Sequence, residues 1–150
     1  MSTIEVGEQL YSLKLNLTGM TEYGISFDEL MSGAIPAPAE GARFDAAFEG
    51  QVSGAKMSGS VTGIDYLRVR ADGRIELNIR ETITTSDGTN IDAQGSGVGI
   101  PGEDGMLNIR VTMTLFTSSE GYKWLNPLQV WGNGVVNLGE GTVEVSCYAA

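Results

Sequence analysis

Apolar and polar residues alternate with a period of two along most of this chain. Tyr11, Leu13, Leu15 and Leu17 alternate with Ser12, Lys14 and Asn16. Phe44, Ala46, Phe48 and Val52 share one face of a second segment, opposite Asp45, Glu49 and Gln51. The pattern continues through Met57 and Val61, through Leu67 and Val69, and through Ile75, Leu77 and Ile79, each set interleaved with polar residues. Period two marks a half-buried strand. Asp72-Gly73 and Asp87-Gly88 interrupt it, and Asp-Gly supplies the positive φ angles that tight hairpins require. Residues 54–91 therefore read as an antiparallel meander.

The flanks extend this pattern. Ser26-Phe27-Asp28-Glu29 fits a capping box, in which the Ser and Glu side chains satisfy free N–H groups at a helix start. With Leu30 and Met31 following and Gly33 to stop it, one short helix is expected. The prolines within residues 35–41 force an extended connector. Helix and connector together would plug one end of the fold or act as a lid over it. Residues 91–99 are Gly-rich and read as a bulged strand or an edge, and residues 100–105 as a loop. Leu107, Ile109, Val111, Met113 and Leu115 form the cleanest alternating run, and Val143, Val145 and Cys147 the last. Roughly eight to ten short strands point to a sandwich or a barrel. The barrel is favoured, because closure removes the edges a long meander exposes. The expectation is all-β: a single antiparallel β-barrel domain over residues 1–150 with one short helical turn.

Composition narrows the chemistry. The 150 residues include 21 Gly and are 41% hydrophobic, enough for a core without disulfides. A net charge of −10 disfavours nucleic acid and anionic membrane as partners. The lone Cys147 allows no internal disulfide and suits a reducing compartment. With no leader pattern in residues 1–10, a cytoplasmic location is expected, and no apolar run is long enough to cross a bilayer. The chain has no histidine. That excludes a Ser-His-Asp triad, a Cys-His pair and a His-based metal site. No calcium-type Asp loop or phosphate-binding Gly motif occurs, so no metal and no cofactor are expected.

Several segments together resemble one family. Gly59-Ser-Val-Thr-Gly-Ile-Asp65-Tyr66, Asp72-Gly73, Arg80-Glu-Thr-Ile-Thr-Thr-Ser-Asp87-Gly88, Ile109-Arg110 and Tyr122-Lys-Trp124-Leu125-Asn126 are similar to the DUF3237 (UPF0311) pattern. The resemblance runs from about residue 54 to the C-terminus. It implies a calycin-like or lipocalin-like barrel, and it leaves activity open. The sequence departs from the family pattern at two places of interest. Tyr66 stands where Trp usually follows the Asp, and Glu81 where Tyr commonly follows the Arg.

Parity divides the candidate residues. Arg80 and Arg110 point opposite to their apolar neighbours, whereas Glu81 shares the side of Leu77 and Ile79. If the apolar stripe lines the barrel, the arginines face solvent or a partner and Glu81 points inward. If the polar stripe lines it, both arginines meet a ligand inside. Soluble barrels of this size favour the first arrangement; the family-like slots held by Asp65, Arg80, Arg110 and Asn126 favour the second. Two functions follow. One is a module binding a small, partly apolar or aromatic carboxylate through Arg80, Arg110, Trp124 and Asn126. The other is a cofactor-independent isomerase, lyase or cyclase with Asp65 or Glu81 as base and Tyr66 or Arg80 as acid or oxyanion stabiliser. A structural subunit with a filled barrel is the third reading. Spare apolar faces and candidate edges suggest a homodimer or larger homo-oligomer.

Overall fold

The computed structural model describes residues 5–150; residues 1–4, the start of the stretch inspected for a leader, lie outside it. Eight antiparallel strands follow one another around a closed barrel: β1 (Gln9–Glu22), β2 (Ala42–Ser53), β3 (Gly59–Val69), β4 (Ile75–Thr85), β5 (Asn90–Pro101), β6 (Met106–Phe116), β7 (Val130–Asn137) and β8 (Thr142–Ala149). Closure is made by β8 on β1, with Leu13 opposite Val145 and Leu15 opposite Val143. Each strand pairs on both sides, so the edges invoked for self-association are absent, and the 91–99 segment is an interior member of the sheet. No helix among the described residues is long and apolar enough to cross a membrane.

Turn chemistry sets the register, by a route that differs in part from the expected one. Gly73 and Gly88 have φ of 90° and 88°, but the aspartates before them keep negative φ. Gly73 N–H donates to the Arg70 carbonyl and Gly88 N–H to the Thr85 carbonyl. These are turns that end in one left-handed glycine, so only that residue supplies a positive φ. The turn with two positive φ values is Asp104-Gly105, at 55° and 74°, closed by Met106 N–H on the Glu103 carbonyl. The segment read as a loop is thus itself a tight hairpin between β5 and β6.

A short helix, α1 (Phe27–Met31), interrupts the β1–β2 connection. Ser26 Oγ accepts the Glu29 N–H at 3.2 Å, the expected half of the capping box. A different N–H of the first turn, that of Phe27, donates to the Glu22 carboxylate at 2.6 Å. Phe27 then packs edge-on against Phe44, with ring centroids 5.0 Å apart. α1 therefore roofs one barrel end, the end that also carries the β3–β4, β5–β6 and β7–β8 hairpins.

The apolar stripe faces inward. At the end opposite α1, Val61, Ile83, Ile91, Leu125 and Val130 are wholly or almost wholly buried and fill the barrel. Leu125 comes from a 3-10 turn (Lys123–Leu125) that stoppers this end. Toward α1 the filling is incomplete. On β5 the inward positions run Ile91, Ala93, Gly95, Gly97 and Gly99, so this wall sends almost no side chain into the roofed half. Eight strands enclose just enough room for side chains or one small ligand. Here the packed half holds side chains and the roofed half keeps space.

Candidate functional site

The space is a cavity of about 90 Å³. Leu13, Leu15, Leu77, Ile109, Val111 and Val145 form much of its wall, and Phe27 and Met31 of α1 reach it from the roof. Polar groups are few: Asp65, Glu81 and the Cys147 thiol. No lysine or arginine lines it.

Glu81 enters this space because β4 alternates, so that Ile75, Leu77, Glu81 and Ile83 occupy the inward stripe. It is 5% exposed, and burial pushes its carboxyl up to about 7. Directly opposite on β3 stands Gly63. A Cβ there would lie 2.7 Å from Glu81 Cβ, 2.7 Å from Phe48 Cζ and 2.5 Å from the Arg80 carbonyl oxygen. Only glycine admits this approach of Phe48 and Glu81.

Asp65 stands two residues further along the same inward stripe of β3, paired with Ile79. Asp65 and Glu81 are therefore diagonal neighbours on one face, about 7 Å apart between Cβ atoms by sheet geometry. Beyond Asp65 the β3–β4 ladder is interrupted: no pairing joins Tyr66 and Leu67 to Leu77 and Asn78, and it resumes at Arg68 and Glu76. Asp65 substitutes for the missing bond, its Oδ1 accepting the Asn78 N–H at 2.9 Å. Burial raises its carboxyl and this hydrogen bond lowers it, with a net position of about 6. On the outer surface the same interruption opens into a cleft bordered by Arg43, Tyr66, Arg68, Glu76 and Asn78.

Beneath the cavity, Tyr11 on β1 is the register partner of Cys147 on β8. Both are 1% exposed. The thiol is pushed up to about 12, chiefly by burial; the Tyr11 hydroxyl counters this and the Glu81 charge adds to it. Burial likewise raises the Tyr11 phenol, helped by Cys147 and Glu81.

The residues singled out from sequence do not converge. Asp65 and Glu81 meet in the cavity, Asp65 from mid-strand and not from a strand start. Tyr66 is 37% exposed on the outer wall. Arg80 and Arg110 are exposed on the outer faces of β4 and β6, with β5 between them. Arg110 Nη1 donates to the carbonyl of Ile109 at 3.2 Å. Trp124 and Asn126 belong to the stoppered end. There Lys56 Nζ sits 5.4 Å from the Trp124 ring centroid, and Asn126 clamps Thr117 by accepting its N–H at 2.9 Å and donating to its carbonyl at 2.8 Å. Parity decides the matter: with the apolar stripe inside, even-numbered Tyr66, Arg80 and Arg110 must face out. A carboxylate ligand inside the barrel finds no cation. Tyr11 was missed, although it is a hydroxyl-bearing residue on an otherwise apolar stripe. No group of three or more His, Cys, Asp or Glu side chains among the described residues is placed to hold a metal.

Known proteins resemble this chain in sequence and in fold. Residues 39–150 match the model of the family described as a protein of unknown function, DUF3237. A hydroalkoxylation enzyme of Penicillium herquei, phnH, is 38% identical over 84 residues. That match spans 55% of this chain and half the length of the curated relative. A conserved protein of unknown function from Rhodopseudomonas palustris shares the fold with a TM-score of 0.78 at 19% identity, covering 99% of both chains. The structure of an enzyme from Penicillium herquei superposes with a TM-score of 0.62 at 24% identity, over 99% of this chain and 98% of the other.

Proposed function

This chain belongs to the DUF3237 family, and we propose that its barrel is a cofactor-independent acid–base enzyme acting on a small, neutral, largely apolar substrate. The reaction class is addition of a hydroxyl across a carbon–carbon double bond within one molecule, or a related cyclisation. One observation carries the reading: two carboxyls, Asp65 and Glu81, face the same apolar cavity at diagonal positions and titrate near neutrality. Catalytic acids and bases work best with such values. The likeness to a hydroalkoxylation enzyme favours this class over simple binding.

The chemistry balances without an added reagent. Asp65, the more acidic group, is the base and takes the substrate's hydroxyl proton as the oxygen–carbon bond forms. The π pair of the double bond takes a proton from the Glu81 carboxyl. The two groups end with exchanged protonation, and proton exchange with solvent resets them; for Asp65 the interruption between β3 and β4 offers the route. Carboxylate substrates are disfavoured, since the lining carries two acids and no cation.

The test uses a panel of alkenols and alkenyl phenols in deuterated water, with cyclic ether and carbon-bound deuterium as the products sought. Asp65→Asn and Glu81→Gln should each slow turnover by about a hundredfold or more. The wild-type rate should peak between about 6 and about 7, where Asp65 is ionised and Glu81 protonated. Equal rates in all three proteins, or product without solvent deuterium, would overturn the proposal.

A further inference from the structure

Two buried side-chain polar atoms among the described residues have no hydrogen-bond partner, and they belong to one place: Tyr11 Oη and Glu81 Oε2. The other buried polar side chains are satisfied. Thr85 bonds Asp87 and the Thr89 carbonyl, and Thr117 bonds the Asn90 carbonyl. An unpaired buried hydroxyl or carboxyl oxygen opposes folding, so such groups persist in a structure mainly where they serve something else. Phenylalanine would fill the Tyr11 site without that oxygen, losing only a weak contact with the Cys147 thiol.

Position says what these atoms serve. Glu81 lines the cavity, and so does Cys147, against which Tyr11 lies. Tyr11 itself is not among the lining residues; its phenol stands behind Cys147 at the floor, and the Glu81 carboxyl reaches the lining from β4. A molecule that entered under α1 would pass hydrocarbon and the Asp65 carboxyl before its inner end reached this floor.

We infer that Tyr11 is a substrate-positioning residue, and that Tyr11 Oη and Glu81 Oε2 together hold an oxygen, hydroxyl or carbonyl, at the buried end of a largely apolar ligand, separate from the hydroxyl that Asp65 deprotonates. Tyr11 donates to that oxygen. Glu81 donates when protonated and accepts from a hydroxyl when ionised. The inference rests on the reading of the cavity as the substrate site, but it concerns recognition and needs no turnover. It also sets which end of the substrate goes in first: this oxygen sits at the floor, and the rest of the molecule, with the reacting hydroxyl at Asp65, points to the α1 roof.

Phenol and toluene are suitable probes, being similar in shape and different in one polar group. At about pH 6, phenol is neutral. Calorimetry on the wild type should show phenol binding about tenfold or more tightly than toluene, the scale of one buried hydrogen bond. In Tyr11→Phe that preference should disappear while toluene affinity stays within about twofold. The thermal midpoint of Tyr11→Phe should be equal to or above that of the wild type, because the orphan oxygen is gone. A preference that survives in Tyr11→Phe, failure of both probes to bind, or a clear drop in the midpoint would each overturn the inference. A phenol preference lost with Tyr11 in a protein that turns over no alkenol would sink the chemistry of the previous section and leave this site standing.

Discussion

Gly63 and Glu81 face each other across the β3–β4 ladder, and the missing side chain of one makes room for the acid of the other. Gly63→Ala would place a methyl group within 2.7 Å of both Glu81 Cβ and Phe48 Cζ. The Arg80 backbone oxygen, 2.5 Å from the same point, cannot rotate away. Overpacking of this kind costs about 1–3 kcal/mol. Gly63→Ala is therefore expected to lower stability by that amount in urea titration and to displace Glu81, cutting turnover beyond what stability explains. Wild-type stability in this variant would show that the ladder tolerates a side chain here and that Glu81 is not held by the gap. The three polar residues that matter most at this scale share a property legible in the amino-acid sequence itself. Tyr11, Asp65 and Glu81 occupy odd positions on stripes made mostly of Leu, Val, Ile and Gly. A polar residue in register with the core is costly unless used or bonded. That is a better guide than the clustering of arginines, which fall on the outward stripe.

At the level of elements, α1 covers the cavity with Phe27 and Met31. Its hold on the barrel includes the edge-to-face pair of Phe27 with Phe44, worth about 0.5–1.5 kcal/mol beyond area burial. Leu30 is also buried beneath it. Were α1 to lift, the β-sheet below would keep its own hydrogen bonds. Phe27→Ala should leave the fold intact and raise the association rate of a small apolar probe such as toluene, measured by stopped-flow mixing. An unchanged rate would place the entry elsewhere, with the β3–β4 interruption the next route to examine. Sequence made α1 legible because capping is local: Ser26 and Glu29 announce the helix start. The interruption beside Asp65 was not legible. It depends on which β3 and β4 residues fail to pair, and the alternation of Leu67 and Leu77 with their neighbours is the same whether they pair or not. The Gly-rich 91–99 stretch misled for a related reason. Glycines blur period two, so a strand paired on both sides looked like an edge, whereas its bare inner face is part of why the barrel keeps a cavity.

The whole molecule is a barrel packed in one half and hollow in the other, and the hollow half carries a thermodynamic signature. Glu81 titrates at about 7 in the fold against 4.5 for a free glutamate, because burial disfavours its charge. Between those values the native state binds more protons than the unfolded chain, so stability falls as pH rises through the window. Below it both states are protonated, and above it the full penalty is in place. A shift of this size corresponds to about 3 kcal/mol. Asp65, raised from 3.8 to about 6, acts in the same direction over a slightly more acidic range. Self-repulsion in a chain of net charge −10 also grows as carboxyls ionise. Glu81→Gln separates the first contribution from the others, since the amide keeps the shape and does not titrate. Urea denaturation of the wild type should show stability falling from about pH 5 to about pH 8 by about 2–4 kcal/mol. In Glu81→Gln most of that fall should be gone, leaving the smaller slope due to Asp65 and net charge. Parallel profiles for the two proteins would mean that Glu81 ionises in the native cavity without penalty, as it could only if water or another polar group reached it there.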